Sequence, residues 1–432
     1  MHTPKHATID VSTAIKLAAA HIMMKGSAMV HVLPFAALRP TPENAPTFAC
    51  PPYDVVTRAQ AAKLAPNHRF LHVIRPEISC DLNVHEDDQE AHAHAAAQLT
   101  QYEKDGVLIR DPKPTLYIYQ QIGYGHIQTG VVGCVRAADY RNGTIKQHEK
   151  TLVAKELNRI HHFEATHAQT EPVFLMHQPD DAVHSIVSGA TSAQPHYDFT
   201  SDNGVRHRFW VLSSDATQKL TQAFSSLAAL YIADGHHRSA SAVKVAGARG
   251  LADDDPRASI MAVLFPCNDL KVLAYNRVVD HLNGLSPEDF LERMHTAGFS
   301  VRLCESNPAP CSRGSFGVYI GAADTWYTAT FTAPLTGNVI SDLDTSILTD
   351  HVLTPILGID DLRTNPHIRF VGGSAGTHGL QTAAGSHGVA FSLYPTSVTD
   401  IMAVSDAGKI MPPKSTWFEP KLASGLFIHT LA

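Results

Sequence analysis

A histidine pair held between an aspartate and an arginine is the part of this chain best suited to do chemistry. Asp234-Gly235-His236-His237-Arg238 follows the apolar run Leu230-Tyr231-Ile232-Ala233 and precedes Ser239 to Ala248, which is rich in Ala, Val and Lys. That order predicts a short strand, a tight turn and a helix whose unpaired N–H groups converge on one point. Such a point attracts anions. Gly235 would let the backbone approach a phosphate, and Arg238 can hold phosphate oxygens in a fork. His236 and His237 add donors whose charge titrates near neutral pH. Asp234 is a candidate partner for a metal ion or a neighbouring histidine. The plainer alternative is a capped helix with surface histidines.

Ile145-Lys146-Gln147-His148-Glu149-Lys150-Thr151 comes second. Position 152 is Leu, so His148-Glu149 does not open the zinc motif H-E-x-x-H. A lone carboxylate beside a histidine and two lysines is instead a candidate general base, Glu149, with His148 beside it. A solvated turn after Asn142-Gly143 is the competing explanation. In Met411-Pro412-Pro413-Lys414-Ser415-Thr416-Trp417-Phe418-Glu419-Pro420-Lys421, prolines stiffen a segment with two lysines and two hydroxyls. Lys414, Ser415 and Thr416 suit an anionic group, although the glycines of a Walker A loop are missing. Ala49-Cys50-Pro51-Pro52-Tyr53-Asp54 is a rigid turn that sets Tyr53 beside Asp54. With Lys150, Arg159 and Lys421, these two are the candidate substrate contacts. Gly372-Gly373-Ser374-Ala375-Gly376 matches a nucleophile elbow, for which Asp400 or Asp406 and then His429 would complete a hydrolase triad. Two histidine patches (His85, His92, His94 and His161, His162, His167) could hold a metal, but clustering is expected among 27 histidines.

These residues need elements to position them. Thr57 with Gln60 predicts a capping box, opening a helix that stops near Pro66. A longer helix is expected from Glu86 to Lys104, ended by Gly106. Thr115 to Gln120 and Gly130 to Val135 read as a strand hairpin. Ser286-Pro287 starts a helix that ends at Gly298, and Asp344 is expected to cap another from Thr345 to Leu357. His367 to Val371 and Val389 to Leu393 read as strands, the latter followed by a helix from Val398 to Ala407. Strands and helices mix without a steady βαβ rhythm, which points to an α+β fold.

The 432 residues are 44% hydrophobic and 17% charged, ordinary values for a globular protein with a sizeable core. The net charge of −7 argues against a duplex DNA binder. Six scattered cysteines lack a C-x-x-C pair and suit free thiols in a reducing, cytoplasmic setting. No run of 18 apolar residues offers a membrane span. Residues 1–30 read as a poorly ordered extension before the recognisable pattern. The core is expected over 31–280, carrying the Glu149 and Asp234 motifs, and a C-terminal α+β lobe over 281–432.

In their order, Pro34-Phe35, Pro51 to Asp54, His148 to Thr151, Glu171-Pro172-Val173-Phe174, Asp234 to Arg238 and Met411 to Lys421 resemble a large microbial family, domain of unknown function 1015. Where that family tends to have His-Arg, this chain has Asn276-Arg277. The His-Glu pair with the later Asp-Gly-His-His-Arg run is also similar to the free-serine kinases of the ParB/sulfiredoxin-like superfamily. This second resemblance implies a mixed sheet with a ParB/sulfiredoxin-like nucleotide-binding element. It makes Glu149 the base and Gly235 to Arg238 the phosphate cradle, although Glu149 and Asp234 lie further apart here. The resulting expectation is phosphoryl transfer from ATP or ADP, with Mg²⁺, to the hydroxyl of a small metabolite such as free L-serine. A homodimer is the assembly kept open. A nucleotide-binding switch without turnover and a serine hydrolase using Ser374 are the alternatives.

Overall fold

The computed structural model describes residues 29–304 and 308–431. The expected N-terminal extension therefore lies outside the described residues, except for Met29 and the buried Val30.

One strand organises the larger sheet. Ser259–Pro266 reads Ser-Ile-Met-Ala-Val-Leu-Phe-Pro, apolar on both faces, as a strand covered on both sides must be. Its alternate residues feed two separate cores. Met261, Val263 and Phe265 pack with Phe174, Phe209, Phe418 and Phe427. Ile260, Ala262 and Leu264 pack with Leu175, Phe224, Ile232 and Val245 on the opposite face. The strand pairs parallel to Val173–His177 and antiparallel to His126–Arg136. From one edge the order is Ile145–Lys146, Leu230–Asp234, Val173–His177, Ser259–Pro266, His126–Arg136, Tyr117–Gly123, Arg206–Val211 and Tyr197–Thr200, with Val32–Leu33 alongside His126–Arg136.

A second sheet, antiparallel throughout, runs Phe299–Leu303, Thr325–Phe331, Ser315–Ile320, Val389–Leu393, Tyr275–Val279 and Ile368–Gly372. It has its own core around Phe290, Phe316, Leu353 and Phe391. The fold is mixed α+β, as the pattern of elements indicated.

Packing crosses the expected boundary at residue 280. The chain leaves the second sheet after Leu393 and returns, so Ile401, Met402, Met411, Phe418 and Phe427 complete the first core. Residues 411–421 thus belong to the packing of the larger sheet, because their apolar side chains find partners there. Local signals fared well by comparison. Thr57 and Gln60 form the capping box, Tyr117 to Gly123 pairs with His126 to Val132 as a hairpin, and Ser286 caps Pro287–Thr296. The helix expected from Glu86 starts at Gln89. That expected after Asp344 begins at Asp344 itself and turns into a wider coil over Thr349–Leu353. Asp344 does not cap it, because its carboxylate accepts the Gly314 N–H at 2.9 Å. Among the described residues no helix is long and apolar enough to cross a membrane, and all six cysteines are free thiols.

Candidate functional site

The strand Leu230–Asp234 ends at Gly235, and the helix His236–Ala248 starts immediately. It begins three residues before the run read from the sequence, which puts both histidines and Arg238 on its first turn. Gly235 has φ of 95°, a left-handed conformation that glycine adopts without strain. A Cβ there would also stand 3.1 Å from the Arg238 guanidinium. Beyond the cap, the first-turn N–H groups of this helix have no partner within the helix, by geometry.

The acid that precedes the turn is tied down. Asp234 accepts the Gly235 N–H at 2.9 Å and faces Lys421 Nζ at 3.3 Å and Arg238 at 3.8 Å. Burial disfavours its charge, but Lys421 and Arg238 outweigh that and hold the carboxyl well below its usual range. Arg238 is buried, and one arm of its guanidinium donates to the Pro172 carbonyl. The fork read as gripping phosphate is therefore half committed to the interior.

The histidines depart from expectation. Burial pushes His236 down to about 4, and burial together with the neighbouring His236 pushes His148 down to about 3. His237 is lowered too, by burial and then by Lys155. His236 and His148 are therefore neutral at pH 7, and their charge does not titrate near neutrality. His237 Nε2 accepts the Leu152 N–H at 2.9 Å, and His236 Nε2 faces the His148 N–H at 3.5 Å. A neutral imidazole that accepts at Nε2 carries its proton on Nδ1. In His236 that nitrogen lies 4.0 Å from a carboxylate oxygen of Glu149. His148 is fully enclosed, edge-on to His236 with ring centroids 4.5 Å apart. It supports the site and does not face the cleft.

The cleft over this turn has a volume of about 260 Å³. Its walls include Tyr53, Asp54, Glu149, Lys150 and Gly235 to Arg238, all singled out from sequence. Lys414 joins them from the returning segment, and Lys155, Arg363 and Phe370 were missed. Lys155 sits on Val153–Thr166, and Arg363 belongs to the second lobe, where no motif marks it. Desolvation opposes the charge of Lys414, yet Tyr275, Glu149 and Asp54 hold its ammonium above the usual value.

Four expected contacts lie elsewhere. Ser415 is buried, its hydroxyl shared between Thr345 and the Pro412 carbonyl, and Thr416 does not line the cleft. Lys421 lines a neighbouring cavity and reaches Asp234 from behind. Arg159 is interior, with its guanidinium 4.0 Å from the Tyr53 ring centroid and 3.4 Å from Glu171. Glu171 also accepts the Tyr53 N–H at 3.1 Å and the Ser424 hydroxyl at 3.0 Å. Burial raises its carboxyl, against the pull of Arg238 and Arg159. This buried knot anchors the turn carrying Asp54. The sequence marked Glu171 only within Glu171-Pro172-Val173-Phe174, one of the runs that carry the family resemblance, with no role attached.

The elbow at Ser374 is exposed on a single 3₁₀ turn after an antiparallel strand. His429 is buried against Phe35 and Ser259. Asp400 is bound to Ser397 and Arg313, and Asp406 to Lys146 and Tyr231. Each partner of the supposed triad is engaged elsewhere. The histidine patches fare similarly: His92 lies edge-on to His161 and His162. Among the described residues, only Asp280, His281 and His367 bring three potential ligand atoms together.

A comparison with protein families matches residues 32–346 to one described as "Protein of unknown function (DUF1015)". The chain belongs to this family. The DUF1015 match spans the Asp54, Glu149 and Asp234 segments and stops short of Lys414. No curated protein matches this DUF1015 chain. Among solved structures, it is similar to a free serine kinase in complex with AMP, with 12% identity and a TM-score of 0.34 over 64% of this chain and 83% of that one. A conserved hypothetical protein from Pyrococcus furiosus gives 13% and 0.35, over 66% and 92%. SbnI with a C-terminal truncation, from Staphylococcus aureus, gives 12% and 0.36, over 69% and 87%. Likenesses this distant carry no weight for activity.

Proposed function

We propose that the cleft binds nucleotide phosphates and that the protein transfers a phosphoryl group to the hydroxyl of a small metabolite, with free L-serine the first candidate to test. One observation supports this above the rest. Four basic side chains from three parts of the chain (Lys150, Lys155, Arg363, Lys414) line the cleft at a helix start together with the partly exposed carboxylate of Glu149 and with Asp54. A helix N-terminus ringed with cations favours a multiply charged anion.

In the proposed reaction the metabolite oxygen attacks the terminal phosphorus of ATP or ADP. The anhydride bond breaks with its electron pair going to the leaving nucleotide, and the hydroxyl proton passes to Glu149. Lys414 and the helix start hold phosphate oxygens, and His236 stands beside Glu149, its Nδ1 4.0 Å from the carboxylate. Asp54 is the carboxylate that fits a Mg²⁺ ion. It lines the cleft and takes no hydrogen bond from the described residues, whereas Asp234 is already paired. Mg²⁺ usually binds through one or two carboxylates plus phosphates, whose charge it would neutralise.

The test is incubation of the protein with labelled ATP or ADP, Mg²⁺ and a metabolite mixture, read by mass spectrometry. A phosphorylated metabolite is the expected result. Nucleotide binding without any phosphorylated product would instead make the protein a switch.

A further inference from the structure

Arg277 is a buried cation with no carboxylate to balance it. It lies on Tyr275–Val279, a strand paired on both sides, opposite Phe370 and Phe391. Its side chain is wholly enclosed, and no acid among the described residues bears on its charge. Burial lowers its pKa to about 9, so the group stays charged at neutral pH. An unpaired buried charge is costly to keep. This one is given over to backbone. The guanidinium donates to the Tyr275 carbonyl, to the Lys414 carbonyl at 2.7 Å and to the Pro413 carbonyl at 3.2 Å. It also lies 5.0 Å from the centre of the Phe370 ring.

Pro413, Lys414 and Phe370 are wall residues of the cleft. Lys414 has φ of 58°, a left-handed conformation that strains a residue with a side chain. Among the described residues five non-glycine positions have positive φ, and of these Lys414 alone lines the cleft. Such a conformation persists only where the surroundings over-determine it. Here they do. The Ser415 hydroxyl donates to the Pro412 carbonyl at 2.7 Å, and Thr396 Oγ1 donates to the Ser415 carbonyl at 2.9 Å. With the two bonds from Arg277, every carbonyl from 412 to 415 is held. The Met411 N–H, bonded to the His148 carbonyl at 2.8 Å, ties the start of the segment to the other side of the site.

We propose that Arg277 is a positioning residue, whose fork fixes the Pro413–Lys414 backbone so that the Lys414 ammonium is aimed at the ligand's phosphate. The proposal rests on the phosphate reading of the cleft and deepens it, by giving the second sheet a task there. A planar guanidinium can hold two carbonyls at once in a set geometry, which a lysine cannot.

Two measurements test this. Lys414→Gly and Lys414→Ala both remove the ammonium and leave Arg277 in place. Where φ is held positive, glycine is unstrained and alanine is strained. The glycine variant should therefore melt about 1–2 °C above the alanine variant. At a position free to relax to negative φ the order reverses. An equal or reversed order shows that nothing holds the conformation and overturns the proposal.

The second is a double-mutant cycle, read by calorimetric titration of the whole protein with Mg²⁺·ADP. Lys414→Ala should weaken binding about ten- to a hundredfold. Arg277→Lys keeps a cation and loses the fork. It should cost about tenfold when Lys414 is present and less than about twofold when position 414 is Ala. A purely structural arginine would cost the same factor in both backgrounds, and that result overturns the proposal while the phosphate cleft stands. So does a folded Arg277→Lys protein that binds like the wild type. Should Arg277→Lys fail to fold, the glycine–alanine comparison decides alone. If the wild type does not bind Mg²⁺·ADP, the phosphate reading itself falls, and the proposal with it.

Discussion

Two turns of this protein share a local plan and differ in everything around it. Leu230–Asp234 passes through Gly235 into a helix of thirteen residues, and Ile368–Gly372 passes through a short 3₁₀ turn into a helix of nine. Both carry a motif that suggests catalysis. At the first, a partly buried lysine, two buried arginines, three histidines held below their usual value and a carboxylate come together, and Glu171 ties the neighbouring Tyr53 turn to them. At the second, Ser374 projects into solvent and its expected partners are occupied elsewhere. The strand–glycine–helix layout is therefore permissive. Chemistry requires side chains brought to it from outside the motif.

The strongest way to break this contrast is at Glu149. Glu149→Gln keeps the shape and removes the proton acceptor, so turnover should fall by about 10²–10⁴-fold. Nucleotide affinity should stay nearly constant. A Gln variant that turns over at the wild-type rate would remove the base and level the two turns.

Arg238 tests how far the first turn is a structural knot. Arg238→Ala leaves Asp234 and Glu171 short of a cation in a buried setting, a loss on the order of 3–5 kcal/mol. Urea unfolding measures it. A loss below about 1 kcal/mol, the scale of an ordinary surface change, would return this arginine to a ligand-facing role.

Lys414→Ala separates binding from folding. Its ammonium faces the cleft, so nucleotide affinity should drop by about 1.5–3 kcal/mol, the range for hydrogen bonds to charged groups. The melting temperature should hold. Calorimetry showing unchanged affinity would take Lys414 out of the phosphate site.

The buried histidines sharpen the contrast through pH. Below about 6.5 the unfolded chain takes up protons that folded His236 refuses until about pH 4 and folded His148 until about pH 3. Stability is thus present above pH 6.5 and lost as pH falls through that window, by at most about 1.4 kcal/mol per pH unit for each group. His236→Gln should flatten the pH dependence of the urea midpoint between pH 6 and about 4, where its folded and unfolded forms differ in protonation. An unchanged slope would show that His236 is not held neutral. The smallest effect is expected at the second turn: Ser374→Ala should leave turnover and stability within about 0.5 kcal/mol of wild type, as for an ordinary surface position. A fluorophosphonate probe should not label the wild type, and stoichiometric labelling at Ser374 would reverse the ranking of the two turns.

Much of the site could be read from residue types in short order. A helix start after an apolar run, a glycine where φ must be positive and a carboxylate among lysines are local features, set by backbone sterics and by unpaired N–H groups at helix ends. The strand hairpin, the caps at Thr57 and Ser286 and the α+β class were legible for the same reason. Tertiary structure decided what each group faces. Ser415 and Arg159 look like ligand contacts until the fold buries them, and Arg238 proves half structural. His236 and His148 lose their titration near neutral pH because burial disfavours the charged ring, and no neighbour in sequence signals that burial. Lys155 and Arg363 enter the cleft, and residues 411–421 return to the first sheet, through contacts between residues from tens to about 300 positions apart. Such contacts follow from which apolar faces find each other on folding, and a linear motif carries no record of that choice.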